Sequence, residues 1–346
     1  MTTHHTARRS VIVLGYGSEP FLEHALDALA ADAGPDDEIV LVDNGIAGRP
    51  TRAGSWPPSV TVVGEGANRG FAGGCVYGVA QATGDVLVFV NSDAIVHPGA
   101  LDVLTRATDR DQVGIACGCL RLADQPELVN SAGNPIHFSG ISWAGGCGEP
   151  ATRYADEREV PVATGGLFAM RREVWDALGG FDELYFAYNE DTDLSLRAWL
   201  QGWRVLFVPE AVADHHYEFG RSPLKMYLVE RNRLLTVLTD YPSRLLRAVL
   251  PALLAIELLL LVQALLQGWA AQKIRSWWWL VRHVTTIRAR RARVQSLVTV
   301  SEGTIARLLV SRIEPPMVPM PPGMGLVNRA LDLYWRRVVG FLAPGE

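Results

Sequence analysis

The stretch VIVLGYGSEPFLEHAL, residues 11–26, decides the fold class. A short apolar, β-branched run leads through a Gly-x-Gly turn into a helix-like segment at residues 20–31. Similar apolar runs and helix-like segments then alternate along the chain: EIVLVD at 38–43, VTVVG at 60–64, a helix at 73–82, DVLVFVN at 85–91 and a helix at 98–108. Such runs are typical of strands buried on both faces. The alternation predicts an α/β fold with a mostly parallel central sheet flanked by helices.

The turn at Gly15, Tyr16 and Gly17 raises the question of which nucleotide this edge binds. A turn of this form opens the dinucleotide fingerprint, and Asp43 ends the next strand where a ribose-binding acid belongs. The third fingerprint glycine is missing, because Pro20 stands in its place. The turn after Asp43 suits recognition of a base equally well. We therefore expect a nucleotide site at the carboxyl ends of the strands, with the nucleotide left open.

A second polar group follows the strand in DVLVFVNSDA, residues 85–94. Asn91, Ser92 and Asp93 stand where this apolar strand ends. Hard cations such as Mg²⁺ prefer oxygen ligands and commonly take one or two carboxylates together with substrate phosphates. The alternative is that Asp93 closes a turn or caps the next helix.

The third group lies in GGFDELYFAYNEDTDLSLRAWLQG, residues 179–202. Glu190 and Asp191 open a helix there, and acids at that position can serve only to complement the helix dipole. The aromatic residues before them suggest a pocket wall, where a carboxylate can act as a general base on a hydroxyl. Asp193 and Arg197 are four residues apart and are expected to pair on the helix.

Composition excludes some functions and leaves others open. The net charge of −5 gives no overall basic field that would favour nucleic acid. The four cysteines are irregularly spaced, which predicts buried reduced thiols rather than a zinc site. No apolar stretch typical of a secretory signal follows the polar residues 1–9.

The C-terminal third is predicted to be helical and raises the question of a membrane. Residues 248–266 are almost long enough to span a bilayer, but Glu257 lies in the middle of the run. Basic residues flank it, and the segments SWWWLVRH and IRARRAR favour an interface with anionic lipid. Three alternatives stay open: a helix lying on the cytoplasmic leaflet, a buried core or oligomer helix, and a true span.

At this point the motifs VDNG, NRGFAGG, FVNSDA and the run from ATGG at 163–166 to ADHH at 213–216 resemble, in this order, those of the family-2 glycosyltransferases. The rhamnosyltransferase-type branch is the most similar. The resemblance covers about residues 10–235 and implies a GT-A fold, with a Rossmann-like nucleotide-binding half at 10–112 and an acceptor-binding half at 113–235. A flexible tail, residues 1–9, would precede it, and a helical region that contacts the membrane, residues 236–346, would follow.

The resemblance also implies roles for single residues. Asp93 matches the last acid of a DxD-type metal motif that would hold Mg²⁺ or Mn²⁺, and His215 matches a histidine that completes the site, with His216 one register away. Asp191 matches the catalytic base, and Glu190 lies beside it. The residues expected near the donor nucleotide are Gly15, Tyr16, Asp43, Asn44, Asn68, Arg69, Gly70, Asn91 and Ser92. Gly165 and Gly166 match a turn on the acceptor side.

Two departures from the family pattern affect the donor contacts. Cys75, Val76 and Tyr77 stand where an asparagine usually follows GFAGG, and the opening turn lacks an asparagine. Neither departure alters the expected reaction class.

The implied activity is an inverting transfer of a sugar, with rhamnose from dTDP-rhamnose as the best match, to a hydroxyl of a glycan or polyprenyl-diphosphate-linked acceptor. UDP-linked hexoses stay open as donors. We expect a cytoplasmic enzyme, peripheral to the inner face of the cell membrane through residues 244–293, and a homodimer is left open. The alternatives are a non-catalytic nucleotide-sugar-binding or scaffold protein and an NAD-dependent oxidoreductase.

Overall fold

The computed structural model describes residues 8–47, 56–217, 220, 222–316 and 320–343. The first half alternates strands and helices as the sequence predicts. Its elements are β1 (Arg9–Gly17), α1 (Leu22–Asp32), β2 (Glu38–Ile46), β3 (Val60–Val63), α2 (Gly70–Gln81), β4 (Val86–Asn91), β5 (Ala94–Val96) and α3 (Ala100–Thr108). The predicted tail ends earlier than expected: residues 1–7 lie outside the described part, but Arg9 already belongs to β1. Its buried guanidinium pairs with Asp37 at 2.5 Å.

The second half adds more strands, the helix α4 and the helix predicted to open at Glu190 and Asp191. Its elements are β6 (Val113–Leu122), β7 (Gln125–Ser131), β8 (Ile136–His137), β9 (Arg158–Glu159), β10 (Leu167–Arg171), α4 (Arg172–Leu178), α5 (Glu190–Leu200) and β11 (Arg204–His215). The Gly-rich stretch between β6 and residue 148 shows no helical periodicity in the sequence, and it contains β7 and β8.

Strand direction explains how distant residues reach one edge of the sheet. The main order is β3-β2-β1-β4-β10-β6-β11-β5. The first four strands are parallel, as predicted, whereas β10 is antiparallel to both of its neighbours, so the sheet as a whole is mixed. Because β10 is antiparallel to both β4 and β6, those two strands run in the same direction. β11 is parallel to β6 and therefore shares that direction. The carboxyl ends of β1, β2, β4 and β11 and the start of β10 therefore meet at one edge, called here the site edge.

The C-terminal helices pack onto the same core rather than forming a separate body. They are α6 (Pro223–Asp240), α7 (Ser243–Leu266), α8 (Ala270–Arg282), α9 (Val284–Ser296), α10 (Glu302–Leu308) and α11 (Met324–Leu342), with the short strand β12 (Leu309–Val310) before α11. Leu245, Val249 and Trp335 belong to the hydrophobic cluster that contains the strands of the first half. In addition, β12 pairs with β8.

A buried set of charges ties α6, α7 and α8 together, and we call it the Lys273 cluster. Lys273 donates to Glu257 at 2.7 Å and also contacts Glu230, while Arg233 donates to Glu230 at 2.8 Å and also contacts Glu257. Each charge has opposite partners, which is what burial of ions requires. Glu257, the acid that interrupts the apolar run, therefore points into the protein.

Candidate active site

The first part of the site edge is the turn after β2. Gly15 of β1 lies in register with Asp43 of β2. One oxygen of the buried Asp43 carboxylate accepts hydrogen bonds from the N–H groups of Gly45 at 3.0 Å and Ile46 at 3.1 Å. Asp43 thus holds the turn next to the predicted nucleotide site, and the exposed Tyr16 ring lies beside it against Gly45.

The loop before α2 is fastened to this turn by amides. The Asn44 side chain accepts a hydrogen bond from the N–H of Arg69 at 2.7 Å and donates to the carbonyl of Gly70 at 3.3 Å. Asn68 accepts a hydrogen bond from the N–H of Gly70 at 2.9 Å. Gly70 has φ +72°, and a Cβ there would lie 2.3 Å from the carbonyl oxygen of Phe186, so only glycine allows these loops to touch.

A carboxylate and an imidazole face each other farther along the edge. His215, at the end of β11, is buried, and its Nε2 lies 3.1 Å from Asp93 Oδ1 and 3.3 Å from Asn91 Nδ2. Its Nδ1 lies 2.9 Å from Asn130 Oδ1. An amide oxygen only accepts, so Nδ1 carries a proton, and in the neutral ring Nε2 presents a lone pair toward the Asp93 carboxylate. Two acceptors in contact are repulsive unless a cation lies between them or the ring is protonated.

This donor set fits a divalent cation that takes its remaining ligands from a substrate. Carboxylate oxygen binds Mg²⁺ or Mn²⁺, imidazole nitrogen is a ligand of transition-metal ions, and Asn130 would act as the outer partner that fixes the ring. Among the described residues, no group of three or more His, Cys, Asp or Glu side chains could hold a metal ion. His216 is placed differently: its ring stacks on Phe21 at 3.6 Å between centroids. The His215 ring therefore faces the Asp93 carboxylate, whereas His216 meets Asp93 through its backbone N–H, which donates to the Asp93 carbonyl at 2.9 Å.

The predicted Ser92 faces another acid. Its hydroxyl donates to Glu19 at 2.9 Å, and the other Glu19 oxygen accepts a hydrogen bond from the N–H of Tyr16 at 3.1 Å. Burial raises the pKa of Glu19, and the nearby Asp93 adds to the rise. Glu19 thus links the opening turn to the end of β4.

The two acids at the start of α5 have different surroundings. Asp191 accepts hydrogen bonds from the N–H of Thr192 at 2.7 Å and from its hydroxyl at 3.3 Å. Burial raises the pKa of Asp191, and these bonds moderate the rise. Burial, and then the neighbouring Asp191, raise the pKa of Glu190 to about 8. Within the described residues, Glu190 Oε2 is buried with no hydrogen-bond partner. At neutral pH Glu190 is therefore protonated, and Asp191 is better placed to accept a proton.

Two glycines, Gly165 and Gly166, lie between the acids of α5 and the Asp93–His215 pair. A Cβ on Gly165 would lie 3.1 Å from Asp191 Oδ2, and the carbonyl of Gly166 accepts a hydrogen bond from the N–H of Asn91 at 3.0 Å. Because β10 starts at the site edge, these glycines bring α5 beside the end of β4. Asp191, Asn91, His215 and Asp93 therefore form one continuous site.

Three residues of this site were missed from the sequence. Asn130 comes from β7, in the stretch without a recognised pattern, and Glu19 follows the opening turn, where only the glycines carry a signal. Asn232 of α6 donates to the carbonyls of Tyr185, Ala187 and Tyr188 at 2.7–2.9 Å and so fixes the loop before α5. Its position in a helix gives no local indication of that role.

The sequence matches the family described as "Glycosyltransferase like family 2" over residues 7–235. A similar curated protein is the N-acetylglucosaminyl-diphospho-decaprenol L-rhamnosyltransferase of Mycobacterium tuberculosis, 29% identical over 241 residues, which are 62% of this chain and 78% of that protein. Another is the O-antigen biosynthesis protein RfbC of Myxococcus xanthus, 33% identical over 149 residues, 41% of this chain and 12% of that protein.

Two solved structures share the fold. GalNAc-T7 with UDP, GalNAc and Mn²⁺ has a TM-score of 0.57 at 17% identity, over 69% of this chain and 49% of that one. S. aureus TarS 1-349 with UDP-GlcNAc has a TM-score of 0.51 at 17% identity, over 96% and 91%. The expected GT-A architecture is confirmed.

Proposed function

Because the chain belongs to glycosyltransferase family 2, we propose that it transfers a sugar from a nucleotide-diphospho-sugar to an acceptor hydroxyl with inversion at the anomeric carbon. The observation that carries the proposal is the continuity of the site: the Asp93–His215 pair and the Asp191 carboxylate lie together at the edge where Asp43, Asn44 and Asn68 fix the loops.

Asp93 and His215 would hold Mg²⁺ or Mn²⁺ in this site. The bound cation would neutralise charge on the departing nucleoside diphosphate. Asn130 orients the proposed metal ligand, because its hydrogen bond holds the His215 ring with Nε2 toward Asp93. GalNAc-T7, which shares the fold, was crystallised with Mn²⁺, and this supports a divalent ion without deciding which one.

Asp191 would take the proton of the acceptor hydroxyl as that oxygen attacks the anomeric carbon. The bond to the diphosphate breaks on the opposite side, so a single displacement inverts the configuration. The bonds from Thr192 orient the Asp191 carboxylate, and Glu190, whose pKa is raised to about 8, is mostly protonated at pH 7. A positioned base of this kind contributes about 10²–10⁴-fold to the rate.

For the donor we propose dTDP-rhamnose and for the acceptor a glycan or sugar on a polyprenyl diphosphate. The support is the similarity to a rhamnosyltransferase whose name gives a diphospho-decaprenol acceptor. UDP-linked hexoses are the competing donors. A non-catalytic nucleotide-sugar-binding or scaffold protein would have no use for Asp191 beside the Asp93–His215 pair, and the NAD-dependent alternative would have none for either.

A donor screen tests the proposal. Purified protein would be incubated with Mn²⁺ or Mg²⁺ and dTDP-rhamnose, UDP-glucose, UDP-galactose, UDP-N-acetylglucosamine or GDP-mannose, with and without a short polyprenyl-diphosphate-linked acceptor. Release of nucleoside diphosphate and product formation would be followed. We expect one donor to react, only with metal, and Asp191→Asn to bind it nearly normally while losing about 10²–10⁴-fold in turnover. Near-full turnover by this variant would refute Asp191 as the base.

We further propose that residues 244–293 contact the inner face of the cell membrane. By length and composition alone, α7 is the one helix of the described residues that could cross a bilayer. Its inner side packs on the core and Glu257 lies in the Lys273 cluster, while its outer side exposes leucines: Leu250, Leu254, Leu258, Leu259, Leu265 and Leu266. Because one side of α7 packs against the protein core, we expect α7 to lie on the membrane surface rather than to span the bilayer.

Helix α8 supports the same face. Ile274, Trp278 and Val281 form an exposed apolar stripe at helical spacing, and the exposed Arg275 and Arg282 lie beside it. Residues 243–296 contain nine Lys and Arg and one acid, whereas the whole chain has 32 basic and 37 acidic residues. This charge segregation favours anionic lipid. Within the predicted range, Lys273 and Arg290 are exceptions: both are buried and paired, so they do not face lipid.

Sedimentation with vesicles tests the membrane face. We expect binding to vesicles of phosphatidylcholine with phosphatidylglycerol, weaker binding to phosphatidylcholine alone, and loss of binding in Leu254→Ser/Leu258→Ser/Trp278→Ser. Val62→Ser, an exposed apolar residue on β3, is the matched control. Sedimentation of the triple variant equal to that of the wild type would refute the proposal. A stable homodimer that buries this face in solution would also refute it.

A further inference from the structure

Helix α9 lies outside the residues that match the family, yet it reaches the helix that carries Asp191. Arg290 projects from α9 into the protein with 3% of its side chain exposed. It donates to Asp182 at 2.8 Å and to Asp240 at 2.8 Å, and it also contacts Thr239 and Asp193. We call this set the Arg290 cluster.

Asp193 connects the Arg290 cluster to the first turn of α5. The Asp193 side chain is fully buried. One of its oxygens accepts hydrogen bonds from Arg197 at 2.7 and 3.0 Å, and the other contacts Arg290 and, at 3.2 Å, the Tyr185 hydroxyl. Its backbone N–H donates to the carbonyl of Asn189 at 2.9 Å. Every polar group of Asp193 named here is thus engaged on the side of α5 that faces the protein.

The segment just before α5 needs such support. Phe186, Tyr188 and Asn189 all have positive φ, between 64° and 70°, which non-glycine residues rarely adopt. Asn232 holds the carbonyls of this segment from one side, as described above, and Arg231 donates to the carbonyls of Leu184 and Tyr185 at 2.9 and 2.7 Å. Backbone strain of this kind persists only where the surroundings over-determine it.

We propose that Arg290 is a positioning residue for sugar transfer. Its guanidinium binds the buried Asp193 carboxylate, which fixes the first turn of α5 and so the direction of the Asp191 carboxylate. The inference rests on the proposed role of Asp191. It assigns the C-terminal helices a task in the reaction that is separate from any contact with lipid.

The charges of the cluster agree with a fixed arrangement. Burial would raise the pKa of Asp193, but the guanidinium groups of Arg197 and Arg290 lower it below its usual range. Burial, and then the neighbouring Asp193, raise the pKa of Asp240 to about 8.

Arg290→Lys tests the inference, because it keeps the charge but cannot reproduce a guanidinium that reaches several acids at once. The matched control is Glu257→Gln in the Lys273 cluster, a buried ionic residue whose bonds go to Arg233, Lys273 and Trp277. We expect Arg290→Lys to lower kcat about 10- to 100-fold with the donor KM within threefold. Glu257→Gln should keep kcat within threefold of the wild-type value, even if it lowers the Tm as much as Arg290→Lys does.

Hydrogen exchange of residues 186–195 gives a readout that does not depend on activity. We expect faster exchange there in Arg290→Lys and unchanged exchange in Glu257→Gln. A wild-type enzyme that transfers no sugar would count against the proposed function, whereas an active wild type with unchanged kcat or unchanged exchange in Arg290→Lys would overturn the role of Arg290. Equal loss of kcat in both variants would also overturn it.

Discussion

Replacing Glu190 by glutamine tests how the two acids of α5 share their proton. Glu190 is 7% exposed, and burial followed by the proximity of Asp191 raises its pKa to about 8 from an ordinary value of 4.5. Between these two values the folded protein keeps a proton that the unfolded chain has lost, so stability must fall as the pH rises. One group contributes a limiting slope of about 1.4 kcal/mol per pH unit, and because the slope falls to half as the pH reaches the folded pKa, the loss from pH 6 to pH 8 is about 2 kcal/mol.

Glutamine reproduces the neutral acid and has no proton to lose, so Glu190→Gln should lack this slope. The assay is urea unfolding of wild type and variant from pH 5.5 to pH 9. We expect the difference in unfolding free energy to move in favour of the variant as the pH rises, and to level off above about pH 8. Asp191 titrates in both proteins, so its contribution largely cancels in the difference.

The same variant separates the roles of the two carboxyl groups. Because Glu190 is neutral at pH 7, Glu190→Gln should keep turnover within about fivefold of wild type, far from the loss expected for Asp191→Asn. Parallel stability curves for wild type and Glu190→Gln would show that Glu190 is ionised at neutral pH. A loss of turnover as large as that of Asp191→Asn would show that the proton-accepting role was given to the wrong residue.

Two further substitutions probe the geometry of the site. Asn130→Ala removes the acceptor for His215 Nδ1, and we expect Mn²⁺ to bind about 10- to 100-fold more weakly in titration calorimetry with dTDP present; unchanged affinity would mean that His215 is not a ligand. Gly165→Ala places a Cβ 3.1 Å from Asp191 Oδ2 and should lower kcat by about 10-fold or more while leaving donor affinity unchanged. Gly340→Ala, where a Cβ meets open space, is its control, and equal kcat values would argue against a tightly placed Asp191.

Much of the fold could be predicted because its signals are local. The apolar runs at 38–43 and 85–91 coincide with β2 and β4, and the acidic start at Glu190 coincides with that of α5. The pairing of Asp193 with Arg197 is confirmed at 2.7 Å, since both lie on one helix. The cysteines are buried free thiols, as expected.

What could not be predicted depends on contacts between distant segments. The reversal at β10 is set by its neighbours in the sheet and has no signature within LFAMR. Asn130 reaches His215 from 85 residues away, and Arg290 reaches Asp193 from 97. The run IRARRAR suggested a lipid contact, but composition does not distinguish an exposed arginine from one that meets buried acids, and Arg290 is of the second kind.

The family match ends at residue 235, inside α6, which continues to Asp240. That limit marks where sequence similarity fades, whereas the Arg290 cluster continues across it. Buried ion pairs therefore join the part of the chain that matches the family to the part that follows it. A recombination joint placed at residue 235 would bring in a new C-terminal segment, and Asp182 and Asp193 would be left facing whatever that segment supplied in place of Arg290. Descendants of this chain would inherit the helices and the catalytic half as one unit, or acquire compensating changes in both.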